Sequence, residues 1–210
     1  MDERFPSIAA RTTAQITRDG SRFIADLVPI DSEEAAIESV EVLRKKFFDA
    51  THHCYAYRIG PPKNNDRYSD DGEPSGSAGL KIYSALQSHR LSDVVCVVTR
   101  YFGGIKLGVG SLGRAYHDAA VECIHNASII TKAMMRTVIV RYLFSETNPV
   151  LNTVQSQHIR ITEQQYHETG GEIHLLVPIS GVDRFLQVIN DATRGSAVIS
   201  LGIQKTVVVS

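Results

Sequence analysis

The chain has 210 residues, of which 43% are apolar and 21% charged, and its formal net charge is −1. The near-neutral balance excludes a protein that coats nucleic acid by bulk charge alone, and the apolar fraction excludes a disordered chain. The longest strongly apolar run is Val94 to Val98, whereas a membrane-spanning helix needs about 20 residues. The first residues lack the apolar segment of a secretory signal, and three widely spaced cysteines are typical of reduced cytosolic thiols. We therefore expect a cytoplasmic protein with no membrane association.

Hydrophobic periodicity predicts alternating strands and helices over the first 126 residues. Asp19-Gly20 is a strong hairpin signal, and Asp31 or Ser32 can cap the helix that follows. The run VVCVVT is typical of a buried strand. In chain order, the predicted elements are strands at 13–17 and 22–29, a helix at 32–48, a strand at 53–59, a loop at 60–76, a helix at 77–89, a strand at 93–99, a glycine loop at 100–110 and a helix at 111–126 capped by Ser111.

A second pattern begins near residue 136 and has the order β-α-β-β-α-β, which is typical of a ferredoxin-like domain. Asn148-Pro149 is a helix start, and Gly170-Gly171 is predicted to be a turn between two strands. The predicted elements are a strand at 136–144, a helix at 149–157, strands at 159–166 and 172–178, a helix at 181–193 and one or two strands at 197–208. We therefore predict an α+β protein with two domains, at 1–130 and 135–210.

Glycine and charge are concentrated in the loops on either side of the second predicted helix of the first domain and at the start of the third. Eight of the 15 glycines lie between Gly72 and Gly113, where about three would be expected from the length of the segment. Residues 66–73 carry a net charge of −3, and residues 99–117 carry +3. Because glycine is useful where the backbone must bend or approach a ligand closely, this segment is the first candidate for function.

The strongest candidate site is RYFGGIKLGVGSLGRAY, residues 100–116, a glycine loop that runs from a buried strand into a helix. A helix start offers unpaired N–H groups and a positive dipole end to an anion, and aromatic rings can stack on bases. The alternative is a tight structural turn whose aromatic residues pack inward. The candidate anion- or nucleic-acid-binding residues are Arg58, Ser77, Arg100, Tyr101, Phe102, Gly103, Gly104, Lys106, Gly108, Ser111 and Arg114.

Two further segments contain candidate acid–base groups. In DDGEPSGSAG, residues 70–79, Asp70, Asp71 and Glu73 could hold a divalent cation, but a solvated acidic turn is the favoured interpretation. In HHCYAYR, residues 52–58, His53 could pair with one of these carboxylates. No metal motif, cofactor motif or known catalytic signature occurs in the chain, so we expect no metal and no cofactor.

The strings HHCYAYR, DDGEPSGSAG and VVTRYFGGIKLGVGSLGRAY, in this order, resemble the IMPACT family, and specifically its bacterial YigZ/YvyE-like members. The resemblance covers about residues 15–126. It implies an N-terminal α/β sandwich similar to the fourth domain of elongation factor G, and a C-terminal domain similar to the fifth domain of that factor. It also implies a connection with translation, because eukaryotic members of the family restrain a kinase that acts on a translation initiation factor.

Three functions follow from these features. The favoured hypothesis is a non-enzymatic protein that contacts RNA or the ribosome through the basic and aromatic glycine loop, in translation or its regulation. The first alternative is an enzyme or binder of a small phosphorylated ligand that uses His53 and the carboxylates at 70–73. The second alternative is an adaptor that binds a protein partner in translation control. The oligomeric state stays open.

The two glycine loops, at 70–79 and 100–110, are predicted to lie side by side because their charges are opposite and both lead into helix N-termini. Two such termini would form one anion pocket, with His53 and Arg58 on the neighbouring strand as its wall. In the alternative, each loop is a separate structural turn.

Overall fold

The computed structural model describes residues 4–60 and 65–209, which divide into two compact units. The N-terminal unit spans Phe5–Thr131, and the C-terminal unit spans Lys132–Val209 together with Arg4. Two sheets and five helices make this a mixed α/β protein. None of the helices in the described part of the chain is long and apolar enough to cross a membrane.

The N-terminal unit contains a mixed succession of strands and helices. In chain order they are β1 (Arg4–Ile8), β2 (Thr12–Arg18), β3 (Ser21–Pro29), α1 (Glu33–Lys46), β4 (His52–Ile59), β5 (Asn65–Ser69), α2 (Gly79–Ser88), β6 (Val94–Tyr101) and α3 (Val109–His125). Two of the predicted local signals are confirmed. Asp19 and Gly20 have φ angles of 47° and 77° between β2 and β3, and the Ser32 hydroxyl accepts the N–H of Ala35 at the start of α1.

Helices cover both faces of the N-terminal sheet, whose strands are ordered β2-β3-β6-β4-β5 with antiparallel neighbours. On one face α1 packs on Tyr55, Tyr57, Val95 and Val97. On the other face, small side chains such as Cys54, Ala56 and Cys96 let α2 and α3 approach closely. Burial on both faces explains the uninterrupted apolar run of β6.

Two strands of the N-terminal unit were not predicted. β5 lies in the segment 60–76 that was predicted to be a loop, of which residues 61–64 lie outside the described part of the chain. Its sequence, NDRYS, has no apolar alternation because it is an edge strand, paired only with β4. β1 was also missed, although Phe5 and Ile8 are buried.

The C-terminal unit has the element order β-α-β-β-α-β. Its elements are β7 (Ile129–Leu143), α4 (Thr147–Ser156), β8 (Arg160–Tyr166), β9 (Gly170–Pro178), α5 (Val182–Ala192) and β10 (Val198–Val208), with β7 beginning just before the boundary. β10, β7, β9 and β8 lie in this order with antiparallel neighbours, in a sheet whose fifth strand, β1, pairs with β7. Residues of α4 and α5, among them Val150 and Phe185, pack on one face of the sheet, and β8 is exposed along its whole length.

The predicted turn at Gly170-Gly171 is wrong, because both glycines belong to β9 and pair with Leu143 and Tyr142. A Cβ atom at Gly171 would lie 2.7 Å from the Tyr142 hydroxyl oxygen. These glycines therefore make room for a tyrosine ring and a neighbouring strand, and the chain reverses before them.

Candidate functional site

The two glycine-rich loops lie side by side and line one cavity in the N-terminal unit. Glu73 and Pro74 from the first loop and Phe102 and Lys106 from the second are part of the lining of this cavity, which has a volume of about 420 Å³. The register of the sheet explains the juxtaposition, because β4 begins where β6 ends and His52 pairs with Arg100. We call this space the loop cavity.

A buried ion pair forms one wall of the loop cavity. Arg100 Nη1 donates to Glu73 Oε1 at 2.6 Å, and the Tyr116 hydroxyl donates to the same oxygen at 2.7 Å. The side chains of Arg100 and Glu73 are only 7% and 4% exposed. The guanidinium also lies near the rings of Phe23 and Phe102, at 5.5 and 5.6 Å from their centroids. Arg100, predicted to contact phosphate, is thus engaged by a carboxylate of the same chain.

Tyr116 is a site residue that the sequence analysis missed. Burial raises the pKa of its hydroxyl far above the ordinary value, so the group stays protonated and donates to Glu73. Its ring packs edge-on against Phe23 at 5.1 Å. The only sequence signal is its helical spacing from Leu112, which places it among the buried residues of α3.

Asp70 is a structural carboxylate at the N-terminus of α2. Its Oδ1 accepts the N–H groups of Ala78 and Gly79 at 2.9 and 2.8 Å, and its Oδ2 accepts the N–H of Gly76 at 2.8 Å. A helix start leaves such N–H groups unpaired, and its dipole attracts a negative charge. The anion site predicted at the start of this helix is therefore filled by Asp70, and the helix begins at Gly79 rather than at Ser77.

Asp71 and His53 do not form the predicted acid–base pair. Asp71 accepts Arg44 Nη2 at 2.7 Å and the backbone N–H of His53 at 2.6 Å. The His53 side chain lies on the face of β4 that carries Tyr55 and Tyr57, which is the face that α1 covers. Burial lowers the pKa of His53 and favours its neutral form. His53 therefore lies across the sheet from the loop cavity.

The neighbouring His52 is the histidine that lines the loop cavity. Its Nδ1 is 2.7 Å from the carbonyl oxygen of Asp71, and its Nε2 is 3.9 Å from Glu73 Oε2. The alternation of side chains along a strand separates the two histidines, but only the pairing of His52 with Arg100 shows which of them faces the cavity.

Arg58 does not belong to the wall of the cavity, contrary to the prediction. It pairs with Val94 at the start of β6, whereas the glycine loop follows Tyr101 at the end of that strand. Arg58 lies five residues beyond His53 along this extended strand, a distance of about 17 Å. Its guanidinium instead donates to the carbonyl oxygen of Leu91 at 3.0 Å and to Asp66 at 3.3 Å.

Three glycines of the second loop are required by the path of the backbone. A Cβ atom on Gly103 would lie 2.0 Å from the carbonyl carbon of Gly20, so this glycine allows the loop to pass over the β2–β3 turn. Gly104 and Gly108 have φ angles of 87° and 71°, which disfavour any other residue. Tyr101 is also occupied, because its hydroxyl donates to Asp49 at 2.8 Å.

The remaining part of the loop presents apolar and basic side chains to solvent. Phe102, Ile105 and Val109 are 47%, 60% and 62% exposed. Lys106 is exposed and forms no ion pair with any residue in the described ranges. We call Phe102, Ile105, Lys106 and Val109 the loop surface.

The helix that follows begins at Val109, so the predicted cap at Ser111 is wrong. Gly108 is the N-cap, no side chain caps the helix, and its first turn contains no acidic residue. The first intrahelical hydrogen bond runs from Leu112 N–H to Gly108 O, which leaves the N–H groups before it available to a ligand. Arg114 is exposed one turn further and donates to the Ser111 hydroxyl at 3.4 Å.

The three cysteines are buried and unsuited to nucleophilic chemistry. Burial raises the pKa of Cys54 and Cys96 well above that of a free thiol, and it raises the pKa of Cys123 to about 11. Cys54 lies next to the ion pair, and its Sγ donates to the carbonyl oxygen of Asp70 at 3.0 Å.

We expect none of the three thiols to be alkylated by iodoacetamide at pH 8 in the native protein, because the thiolate is the reactive form. All three should react in denaturant, and intact-mass spectrometry counts the adducts. Fast alkylation of native Cys54 would contradict this assignment and make Cys54 a candidate nucleophile.

No group of three or more histidine, cysteine, aspartate or glutamate side chains could hold a metal ion among residues 4–60 and 65–209. The acidic residues at 70–73 instead accept hydrogen bonds from backbone N–H groups, Arg44, Arg100 and Tyr116.

Known proteins resemble this chain over most of its length. The family model of the Impact N-terminal domain matches residues 19–124, which contain both glycine loops. The chain is 33% identical over 188 residues to the IMPACT family member YvyE of Bacillus subtilis, covering 90% of this chain and 86% of that protein. It is 38% identical over 176 residues to an IMPACT family member of Thermus thermophilus, covering 83% and 94%.

A solved structure described as that of a hypothetical protein superposes with a TM-score of 0.68 at 29% identity, covering 97% of this chain and 98% of that one. Sequence and structural similarity thus extend over both units. The chain belongs to the IMPACT family.

Proposed function

We propose that this protein is a non-enzymatic module that contacts RNA or the ribosome, in translation or its regulation. The observation that carries the proposal is the loop surface next to the uncapped start of α3. Exposed Phe102 lies there in the same short loop as Lys106, which has no ion-pair partner among the described residues. An exposed ring can stack on a base, and the lysine and the helix start both favour a phosphate.

The organisation of the two units supports a link with translation. The order β10-β7-β9-β8 with the helices on one face is that of a ferredoxin-like domain, which we infer for residues 135–210. For residues 1–130 we infer the IMPACT-type N-terminal domain with its similarity to the fourth domain of elongation factor G. A pair of domains similar to a ribosome-bound factor is the basis for proposing the ribosome as a partner.

The residue roles differ from those the sequence predicts. Phe102 and Lys106 are proposed to make direct contacts, together with the first N–H groups of α3 and Arg114. Arg100 and Tyr101 are proposed to hold the loop in place, because Glu73 and Asp49 already engage them.

The alternative of acid–base chemistry on a small ligand keeps less support. Asp70 and Asp71 accept backbone N–H groups and Arg44, and the His53 side chain faces α1. What remains is the loop cavity, whose volume lies within the usual range for small-molecule sites. His52 and Glu73 are the groups that such a ligand would meet.

We expect the protein to bind single-stranded RNA with a salt dependence to which Lys106 contributes. Lys106→Gln should lower the slope of the log–log plot of affinity against salt by about 0.7, the value for one phosphate contact. Phe102→Ala should weaken binding by about 1–3 kcal/mol through loss of stacking. Fluorescence anisotropy of a labelled oligonucleotide over several salt concentrations measures both effects.

Matched controls come from the end of α1 and the segment just after it, because α1 packs on the other face of the sheet. Lys45 and Phe48, at the end of α1, are exposed as well, and Phe48 is 84% exposed. Lys45→Gln and Phe48→Ala should therefore bind RNA as the unmodified protein does. RNA binding that is independent of salt, or equally weakened by both sets of variants, would refute the proposal. A stoichiometric protein partner that resists nuclease would favour the adaptor instead.

A further inference from the structure

A second cavity lies between α2 and α3, on the other side of Val109 from the loop cavity. It has a volume of about 430 Å³, and its lining includes Ser77, Lys81, Gly110 and Arg114. None of the described residues that line it is acidic. We call it the interhelix cavity, and its chemistry differs from that of the more apolar loop cavity.

Cationic groups are placed around the interhelix cavity. Lys81 and Arg114 are exposed, and neither forms an ion pair within the described ranges of the chain. The stem of Lys81 packs closely on the backbone of Gly113, since a Cβ atom there would lie 3.2 Å from Lys81 Cε. His117 also lines the cavity, although its imidazole lies 3.7 Å from Asp118.

A buried hydroxyl group at this cavity has no partner among residues 4–60 and 65–209. Ser77 is 1% exposed, and its Oγ makes no hydrogen bond with any described residue. A buried polar atom without a partner is destabilising, so such groups in native proteins call for an explanation. An oxyanion in the cavity that Ser77 lines would accept a hydrogen bond from this hydroxyl.

The backbone at the cavity is also accessible. Gly110 lies in the uncapped first turn of α3, and an added Cβ atom would meet no protein atom within 4 Å. Its φ angle is not positive, so neither packing nor backbone geometry requires glycine here. Glycine disfavours a helix, but the open space at Gly110 is what a ligand approaching the first N–H groups of α3 would require.

We propose that the interhelix cavity binds the phosphate group of a small phosphorylated molecule. The Ser77 hydroxyl and the first N–H groups of α3 donate hydrogen bonds to its oxygens, and Lys81 and Arg114 balance its charge. Asp70 fills the corresponding position at α2, so of the two helices at this cavity α3 has the start that is open to a ligand. This proposal does not rest on the contact with RNA. The two share the first N–H groups of α3 and Arg114, but Ser77 and Lys81 line only the interhelix cavity, and Phe102 and Lys106 line only the loop cavity.

The test is a titration of the ¹⁵N-labelled full chain with inorganic phosphate at constant ionic strength, with chloride as the reference. We expect saturable amide shifts at Ser77, Gly110 and Ser111, with a dissociation constant on the order of 1 mM. Glycerol 3-phosphate and dimethyl phosphate then separate a monoester from the diester of an RNA backbone, and the monoester should bind more tightly.

Two variants separate binding from stability. Ser77→Ala removes an unpartnered buried hydroxyl, and Gly110→Ala adds a residue that favours a helix, so neither should lower the melting temperature. Each should nevertheless weaken phosphate binding by about tenfold or more. Ser77→Ala removes a hydrogen bond to a charged group, and Gly110→Ala places a methyl group where the phosphate approaches the backbone. Gly181→Ala in the C-terminal unit, where the nearest atom to the added Cβ is at 4.0 Å, is the matched control.

Unchanged phosphate affinity in both variants, or amide shifts confined to other regions, would overturn the proposal. The two proposals fail separately. A protein that binds RNA but not phosphate loses only the interhelix site, and a protein that binds phosphate but not RNA loses only the function proposed for the loop surface. Phe102→Ala should leave phosphate binding unchanged.

Discussion

Replacing Glu73 by alanine is expected to lower the free energy of unfolding of the N-terminal unit by about 3–5 kcal/mol. Glu73→Ala would leave the buried positive charge of Arg100 without its carboxylate partner. The Tyr116 hydroxyl would lose its acceptor at the same time. Urea unfolding followed by far-ultraviolet circular dichroism, with hydrogen exchange of peptides from β6 and α3, measures the loss.

The double variant Glu73→Leu/Arg100→Met is the control for this expectation. Removing both charges and keeping the volume should restore most of the lost stability, because a buried ion pair contributes little beyond an apolar pair of similar size. If Glu73→Ala unfolds like the unmodified protein, then water or a neighbouring group solvates Arg100, and the pair is not a closed buried unit.

The ion pair and Lys106 are expected to have different roles, the first in stability and the second in RNA binding. Arg100 is the most buried cation of the glycine-loop segment, and Glu73 connects it to α3 through Tyr116. A variant that breaks the pair should therefore lower stability and RNA binding together, because Arg100 is proposed to hold the loop in place. Lys106→Gln should change binding without changing stability, because the Lys106 side chain is exposed and unpaired within residues 4–60 and 65–209.

The sequence predicts those elements whose causes are local. The Asp19-Gly20 turn, the Ser32 cap and the apolar run of β6 each depend on a few adjacent residues. The long helices and the order of elements in the C-terminal unit are predictable for the same reason, because periodicity is a property of one segment.

The sequence does not predict features that depend on pairing between distant segments. β5 exists because β4 offers it hydrogen bonds, and Gly170-Gly171 are glycines because of the neighbouring strand that carries Tyr142. The start of α3 is set by the backbone of Gly108 and not by the better capping side chain of Ser111.

The candidate site shows the same limit at the scale of single side chains. The motifs locate the two glycine loops, and the structure brings both loops to one cavity. The choice between His52 and His53 needs the register of β4 against β6, which no local pattern contains. Whether Arg100 is free or paired depends equally on Glu73, which is 27 residues away along the chain.

Replacing Asp70 by asparagine is expected to destabilise the N-terminal unit by about 2–3 kcal/mol. The carboxylate accepts three backbone N–H groups at 2.8–2.9 Å, and an asparagine side chain can present only one oxygen to them. Its amide group would then face the N–H of either Gly76 or α2, so at least one donor would lose its acceptor. Asp31→Asn is the matched control, because Asp31 is exposed near the start of α1.

The same residue decides whether the acidic loop holds a cation. Three of the roughly four acceptor positions of the Asp70 carboxylate are occupied by backbone N–H groups, and Asp71 and Glu73 face Arg44 and Arg100. Millimolar Mg²⁺ or Ca²⁺ should therefore leave the melting temperature of the unmodified protein unchanged, while Asp70→Asn lowers it with or without the ion. A melting temperature that rises with Ca²⁺ and loses this rise in Asp70→Asn would show instead that the acidic loop opens to bind a metal ion.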